Sequence, residues 1–196
     1  GPKRSPFEQA MLEYFAQGCP EVIEKEWLAA RSPVPVEWGV RRGLGADFLS
    51  YLYLPDEMVL VFNNFYSQGD FAWYNNRTYR LADRPGIKPV RSDLPTGGQK
   101  GIWFLTNPVC GKWEPMASQN KLGRRHSGCI TSWRYAVLES DEAPVELWLK
   151  ALVQLEIPIS AIYTSGGKSI HALVKVSAAS QGEFDICRDR LVAFLC

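Results

Sequence analysis

Several features are scarce or lacking in this 196-residue chain, and each one excludes a class of protein. No run reaches the ~18 consecutive apolar residues of a membrane-spanning helix, so the sequence does not predict a membrane protein. The 22 basic residues nearly balance the 21 acidic ones, and the net charge of +1 gives no general attraction to nucleic acid. Any nucleic-acid site must therefore be a local patch. The 46% hydrophobic content excludes wholesale disorder.

Metal-binding and disulfide patterns are also lacking. The five cysteines are scattered without a C-x-x-C pair, and the chain has two histidines, so no structural zinc site is predicted. A chain of this length does not need disulfides, and reduced thiols fit a cytoplasmic protein. The opening Gly1-Pro2 is typical of a tag-cleavage scar, so we expect the natural chain to extend further at one end or the other.

The length predicts one composite domain built from two modules. The first, residues 1–130, is helical and β-rich, and the second comprises residues 131–196. Helices are predicted up to Gly18 and again over 20–30, before proline-rich sequence. After Met58 the hydrophobic period changes to that of strands. The predicted strands are 58–62, 70–74, 78–81 and 102–105, with a hairpin turn at Asn75-Asn76.

Residues 110–130 form a polar, glycine-containing connection between the modules. Its basic residues and histidine are Lys112, Lys121, Arg124, Arg125 and His126. Two interpretations stay open: an ordinary solvated loop, or a mobile basic arm that binds phosphates.

The second module has the clearest pattern. Strands are predicted over 133–138, 159–163 and 169–176, with a helix opened by Pro144 after the first of them. Ser180-Gln-Gly-Glu183 is a capping box that opens a last helix. This order predicts an α+β fold whose second module is RNA-recognition-like (βαββα) and lacks its final strand. We expect that strand to follow Cys196.

The first candidate site is Glu139-Ser-Asp141, at the end of a predicted strand. Strand alternation places both carboxylates on the same side, within reach of one cation. Hard oxygen ligands of this kind suit magnesium or manganese. In the alternative interpretation the strand end is merely exposed, and Asp141 and Glu142 stabilise the N-terminus of the next helix.

The second candidate site is the glycine turn before the last strand. Gly166 and Gly167 let backbone N–H groups approach an anion, and Lys168 adds a positive charge. Ser169 and His171 share a strand face and can point at the same ligand. The turn is not a Walker A loop, because the first glycine of that motif is lacking and a strand follows the lysine. The alternative is a tight hairpin with a core histidine.

Together the two motifs closely resemble the archaeo-eukaryotic primase superfamily, and in particular the primase-polymerase domains of bacterial, prophage and plasmid replication proteins. The resemblance covers residues 101–176 and about 48–70. It implies that Glu139 and Asp141 bind Mg²⁺ or Mn²⁺, and that Ser169 and His171 contact the phosphates of the incoming nucleotide.

The resemblance further implies template-directed nucleotidyl transfer, with nucleoside triphosphates and a single-stranded DNA template as partners and a helicase as a further partner. The implied catalytic residues are Glu139, Asp141 and His171. The implied nucleotide-binding residues are Ser165, Gly166, Gly167, Lys168, Ser169 and His171. For the template we expect contacts from Lys121, Arg124 and Arg125.

The chain departs from the family pattern at two points. The usual first acid is aspartate, whereas this chain has Glu139. The family's third acid, on the strand after the last helix, has no counterpart up to Cys196, so we expect it further along the natural chain. An alternative function is therefore a catalytically inactive, primase-like module that binds single strands or initiates replication.

Overall fold

The computed structural model of the protein describes residues 9–10, 13–14, 16–31, 44–64, 68–75, 77–95, 101–117, 119–164 and 169–195. It confirms a mixed α+β fold with antiparallel strand pairing. Two compact units are present: one combines residues 1–42, 137–174 and 194–196, the other residues 43–136 and 175–193. This division differs from the predicted boundary at residue 130. In the described ranges, no helix combines the length and the apolarity needed to cross a membrane.

Helices and strands alternate irregularly along the chain. The described residues 9–10, 13–14 and 16 are helical, and the further helices in the described ranges are α1 Lys25–Ala29, α2 Leu44–Leu52, α3 Val145–Gln154 and α4 Gln181–Leu195. The first five strands are β1 Met58–Phe62, β2 Phe71–Tyr74, β3 Arg77–Arg80, β4 Val90–Ser92 and β5 Trp103–Phe104. The other five are β6 Glu114–Pro115, β7 Leu122–Gly123, β8 Trp133–Leu138, β9 Ile159–Thr164 and β10 Ile170–Ala178.

A five-stranded sheet with the order β4-β3-β2-β1-β5 organises the second unit. Its strand β1 reads as a continuous apolar run because Val59 and Leu60, which point to opposite faces, are both fully buried. Leu60 packs in a core cluster with Ala72 and Cys129. The strands predicted over 58–62, 70–74, 78–81 and 102–105 are confirmed; the first has the predicted bounds, and the ends of the others shift by at most one residue.

The connection over residues 110–130 is folded, and this corrects both interpretations made from its sequence. Strands β6 and β7 pair as a hairpin, and a 3₁₀ turn follows at Ser127–Cys129. Cys129 is only 1% exposed and belongs to the core. The charge run concealed this structure because its few apolar residues are spaced too irregularly to predict either strand.

The three-stranded sheet has the order β8-β10-β9, and all three strands lie close to their predicted positions. Helix α3 buries Trp148, Ala151 and Leu152, whose helical spacing makes one apolar face. The Trp148 indole N–H donates a 3.0 Å hydrogen bond to the Ile170 carbonyl at the start of β10. This bond satisfies the polar atom of a buried aromatic residue.

The predicted capping box opens α4. The Glu183 backbone N–H donates to Ser180 Oγ at 3.3 Å, and the Glu183 carboxylate accepts from the Ala179 N–H at 2.8 Å. The structure therefore confirms the start of this helix and the Ser180 half of the capping box, whereas the Glu183 carboxylate reaches the N–H one residue before Ser180.

Candidate functional site

The acidic motif and the histidine motif meet in the first unit. Glu139 directly follows β8, and His171 is the second residue of β10, the central strand of the sheet. His171 Nε2 lies 2.6 Å from Glu139 Oε2. The side chains are 22% and 49% exposed, so solvent and a ligand can reach both groups. Folding thus joins two motifs that lie far apart in the sequence.

Tyr163 supports this pair from the neighbouring strand. It is the cross-strand partner of His171, and the two ring centroids lie 5.3 Å apart in an edge-to-face arrangement. Burial, and after it the negative charge of Glu139, raises the pKa of Tyr163 to about 12. The phenol therefore stays protonated at neutral pH. Sequence analysis missed Tyr163, since only the β9–β10 register reveals its place beside the histidine.

Ser169 forms a second link between the motifs. Its side chain is buried, at 7% exposure for the residue, and its Oγ donates a 2.7 Å hydrogen bond to the Ser140 carbonyl. Ser140 Oγ in turn accepts from the Ala143 N–H at 3.0 Å. The Ser169 hydroxyl must release this carbonyl before it can donate to a phosphate. In the described structure it is a positioning group for the end of β8.

The carboxylates of Glu139 and Asp141 are the type of ligand that a hard divalent cation prefers. Glu139 and Asp141 are both exposed and carry the oxygen ligands that magnesium prefers. Among the described residues, however, no set of three or more His, Cys, Asp and Glu side chains is arranged to hold a metal ion. The predicted turn residues lie outside the described part of the chain: they are Ser165, Gly166, Gly167 and Lys168.

Arg124, predicted to contact a template, occupies an interior position in the second unit. The residue is 4% exposed, and its guanidinium donates to the carbonyls of Gln68 at 3.0 Å and Ala82 at 2.9 Å, and to that of Gly69. Burial lowers the pKa of Arg124, and the negative charge of Asp83 partly offsets this effect. A guanidinium held this way cannot reach a phosphate without breaking the bonds, so the template assignment of Arg124 is wrong.

The other two predicted template residues occupy different environments. The Arg125 guanidinium carbon lies 4.0 Å from the centre of the Phe62 ring, a cation–π contact on a half-buried side chain. Burial lowers the pKa of Arg125. Lys121 is exposed, next to the start of β7. The described residues 121–125 therefore do not present one continuous basic surface.

Cys129 and His126 form a contact that sequence analysis did not predict. The cysteine Sγ lies 3.3 Å from His126 Nε2. Burial, followed by the neighbouring Cys110, raises the pKa of the Cys129 thiol to about 11, so the thiol stays protonated at neutral pH. A protonated, buried thiol is a packing group rather than a nucleophile.

Comparisons of the chain with protein-family models, with curated proteins and with solved structures found no match. The functional argument therefore depends on the geometry of the Glu139–His171 pair and on the motifs that contain it.

Proposed function

We propose that the protein is a primase-polymerase-type nucleotidyltransferase. It would transfer a nucleotide from a nucleoside triphosphate to the 3′-hydroxyl of a nucleic acid on a single-stranded DNA template, with Mg²⁺ or Mn²⁺; the 3′-oxygen bonds to the α-phosphorus and pyrophosphate leaves. The observation that carries this proposal is the 2.6 Å contact between Glu139 and His171, because it unites an acidic motif with a Ser-x-His motif on adjacent strands.

The sheet order supports the finer fold assignment. In β8-β10-β9 the third strand of the module lies between the first and the second. This is the split βαβ order of ferredoxin-like and RNA-recognition-like modules. The central strand β10 then carries His171, with Ser169 immediately before it, while β9 contributes Tyr163 and Glu139 directly follows β8. We accordingly favour an RNA-recognition-like module as the catalytic one.

The side chains of the site would have different roles in the proposed reaction. Glu139 and Asp141 would hold the cation, which supplies the charge that activates the 3′-hydroxyl and stabilises the leaving pyrophosphate. Because Glu139 accepts at His171 Nε2, it keeps a proton on that nitrogen. Nε2 can then donate this proton in a hydrogen bond to a phosphate oxygen when the carboxylate turns to the cation. Tyr163, held protonated, adds no negative charge beside the triphosphate.

Primer extension on a single-stranded template with Mn²⁺ tests the reaction directly. We expect extension by the wild type and its loss in the variants Glu139→Gln and His171→Ala. The matched control is His126→Ala, which removes the other histidine of the chain, in the other unit. Extension by His171→Ala at the control's rate would contradict the assignment.

Nucleotide binding gives a second measurement. We expect His171→Ala to weaken the binding of a nucleoside triphosphate with Mn²⁺ by roughly 1.5–3 kcal/mol, the range for a hydrogen bond to a charged group. Titration calorimetry with wild type, His171→Ala and the control His126→Ala measures the difference. Equal affinities in all three proteins would remove His171 from the nucleotide site.

The second candidate is a noncatalytic, primase-like module that binds single strands or initiates replication. The observation that favours it is again the Glu139–His171 pair, because the carboxylate already has a positive or hydrogen-bonding partner without a cation. Thermal melting separates the two candidates: a catalytic site predicts stabilisation by Mn²⁺ with a nucleoside triphosphate. Oligonucleotide binding without this stabilisation or any extension would favour the noncatalytic module.

A further inference from the structure

One segment of the second unit concentrates positive charge far beyond the average of the chain. Residues 77–91 contain a single acidic residue, Asp83, and have a net charge of +4, whereas the whole chain has +1. The basic residues are Arg77, Arg80, Arg84, Lys88 and Arg91. Sequence analysis did not single out this segment, since its charges are interspersed with apolar residues and prolines.

The strand register gathers some of these charges beside aromatic rings. Arg77 is the cross-strand partner of Tyr74, and Arg91 is the partner of Tyr79. Because Arg77 and Tyr79 are two residues apart on β3, all four side chains belong to the same face of the sheet. Both arginines are exposed, and both tyrosines are half-buried. The face therefore presents alternating cations and aromatic rings at the edge formed by β3 and β4.

The loop between these strands carries further basic residues. It borders an open groove of about 340 Å³, which is lined by Arg80, Arg84, Lys88 and the acidic Asp83, together with the exposed apolar side chains of Ile87 and Val90. Arg80 and Val90 are cross-strand partners and lie on the opposite face of the sheet from Tyr79 and Arg91, so basic residues flank the β3–β4 edge on both sides. Exposed cations beside apolar side chains suit a ligand with negative groups and flat apolar parts. A nucleic-acid strand, with phosphates and bases, has this chemistry.

Within the described part of the chain, none of these basic residues forms an ion pair. The described close contacts between basic and acidic side chains involve Arg134, His171 and Arg188, and none includes a basic residue of segment 77–91. Asp83, the one acid of the segment, acts on the buried Arg124 and helps to balance its charge. The exposed cations are thus available to an external anion.

We infer that β3, β4 and the loop between them bind the backbone of single-stranded nucleic acid, with Tyr74 and Tyr79 as stacking positions for bases. A single strand is the specific occupant because its bases are free to stack on side chains, whereas those of a duplex are not. This surface deepens the proposed function, and it relies on that function only for the statement that the strand is a template. It replaces Arg124 as the expected site of template contact.

Fluorescence anisotropy with a labelled oligothymidylate, without metal or triphosphate, tests the surface. The test variant is Arg77→Gln with Lys88→Gln and Arg91→Gln. The control, Lys175→Gln with Arg188→Gln and Arg190→Gln, removes two arginines and one lysine from exposed positions of the same unit.

We expect the test variant to bind at least about tenfold more weakly, with a salt dependence (log K against log salt) shallower by about 2, at about 0.7 for each lost phosphate contact. The control should bind as the wild type does. Equal weakening in both variants, or in neither, would overturn the inference. Lys88→Gln alone, in the loop, should lower the slope by about 0.7 and covers the case in which the triple variant fails to fold.

A second pair of variants tests the stacking. Tyr79→Ala should weaken binding by about fivefold or more, the lower end for one base–aromatic stack, whereas Tyr79→Phe retains the ring and should bind normally. Duplex of the same length should bind more weakly than the single strand; tighter duplex binding would overturn the choice of occupant.

Failure of the proposed nucleotidyl transfer can be distinguished from failure of oligonucleotide binding at this surface. Glu139→Gln with Asp141→Asn should bind the oligonucleotide like the wild type, because neither residue belongs to the basic segment. An unchanged affinity in the basic triple variant would overturn the surface, whatever the triphosphate measurements show for His171.

Discussion

Residues 77–91 and residues 139–146 carry opposite net charges of the same size, +4 and −4, within a chain whose total is +1. The acidic segment ends a strand and opens towards a helix, and one of its carboxylates is paired with His171. The basic segment lies on two paired strands and their loop, and its cations have no carboxylate partner among the described ion pairs. A balanced total therefore conceals two segments of opposite sign, each of which we propose binds a ligand.

The two segments are suited to different tasks because of how their charges are held. A partly exposed carboxylate beside a histidine fits a cation and a triphosphate, where charge must be placed to within a hydrogen bond. A row of exposed cations fits a polymer of phosphates, where the number of charges matters more than the position of each one. Three predictions test this contrast between placed charges and distributed charges.

The largest effect on the free energy of unfolding is expected at Arg124. This cation lies outside both segments, and its guanidinium is held in place by three carbonyl groups. Arg124→Ala leaves the carbonyls of Gln68, Gly69 and Ala82 without their donor; the bond to Gly69 is buried and the other two are partly buried. A buried unsatisfied group costs about 1–3 kcal/mol and the partly buried ones add less, so we expect the free energy of unfolding to fall by about 2 kcal/mol or more. Urea unfolding monitored by tryptophan fluorescence measures the loss.

The matched control is Arg77→Ala, which removes an exposed arginine from the distributed set. It should change the free energy of unfolding by no more than about 0.5 kcal/mol, as surface substitutions usually do. A similar loss in the two variants would show that Arg77 is structural as well, and the contrast would fail.

An intermediate effect on the free energy of unfolding is expected at Tyr163 in alkaline solution. Its pKa is raised to about 12 in the folded protein, against about 10 for an unfolded tyrosine. Between these values the unfolded chain releases a proton that the folded one retains, so stability falls as the pH rises. Tyr163→Phe should abolish this contribution, which is roughly 1 kcal/mol at pH 11.

Urea unfolding of the wild type and Tyr163→Phe at pH 8 and pH 11 measures this difference. Glu139→Gln sharpens the test, since it removes the second cause of the raised pKa and should move the ionisation of Tyr163 towards lower pH. If wild type and Tyr163→Phe lose the same stability on passing to pH 11, the environment assigned to Tyr163 is wrong.

The smallest effect on stability is expected from replacing the carboxylates of Glu139 and Asp141. Glu139→Gln with Asp141→Asn removes the half-exposed carboxylate that contacts His171, and exposed contacts of this kind contribute about 0–1 kcal/mol. It also relieves repulsion between neighbouring carboxylates, so melting without metal should change by only a few degrees. Any stabilisation by Mn²⁺ should disappear. Glu146→Gln, in the same segment, is the control that should retain it.

Local sequence patterns predicted most elements of the structure. Pro144 and the helical spacing of the apolar residues after it, Val145, Trp148, Leu149 and Leu152, predicted α3, and the Ser180–Glu183 capping box located the start of α4. Both signals act within a turn or two of one helix, so no knowledge of the rest of the fold is needed.

Elements without a local pattern were missed. Helix α2 begins with Leu44-Gly45, where glycine weakens the helical signal, and β4 is the three-residue sequence Val90-Arg-Ser. Pairing with β3 stabilises β4, and a partner strand lies outside any short sequence window. The polar appearance of residues 110–130 misled for a similar reason, because Cys129 becomes a core residue only through packing on Leu60 and Ala72.

In the candidate site too, local sequence patterns predicted some features and the tertiary structure decided the others. Residue type and the expected strand alternation singled out Glu139, Asp141, Ser169 and His171. In the structure Glu139 and Asp141 lie beyond the end of β8 and Ser169 lies just before β10, so the shared strand faces expected for the two pairs are not formed. Strand register decided the rest: that Glu139 touches His171, that Tyr163 supports them, and that Arg77 and Arg91 share a face with tyrosines. Register depends on the packing of whole strands, so these contacts exist only in the folded protein.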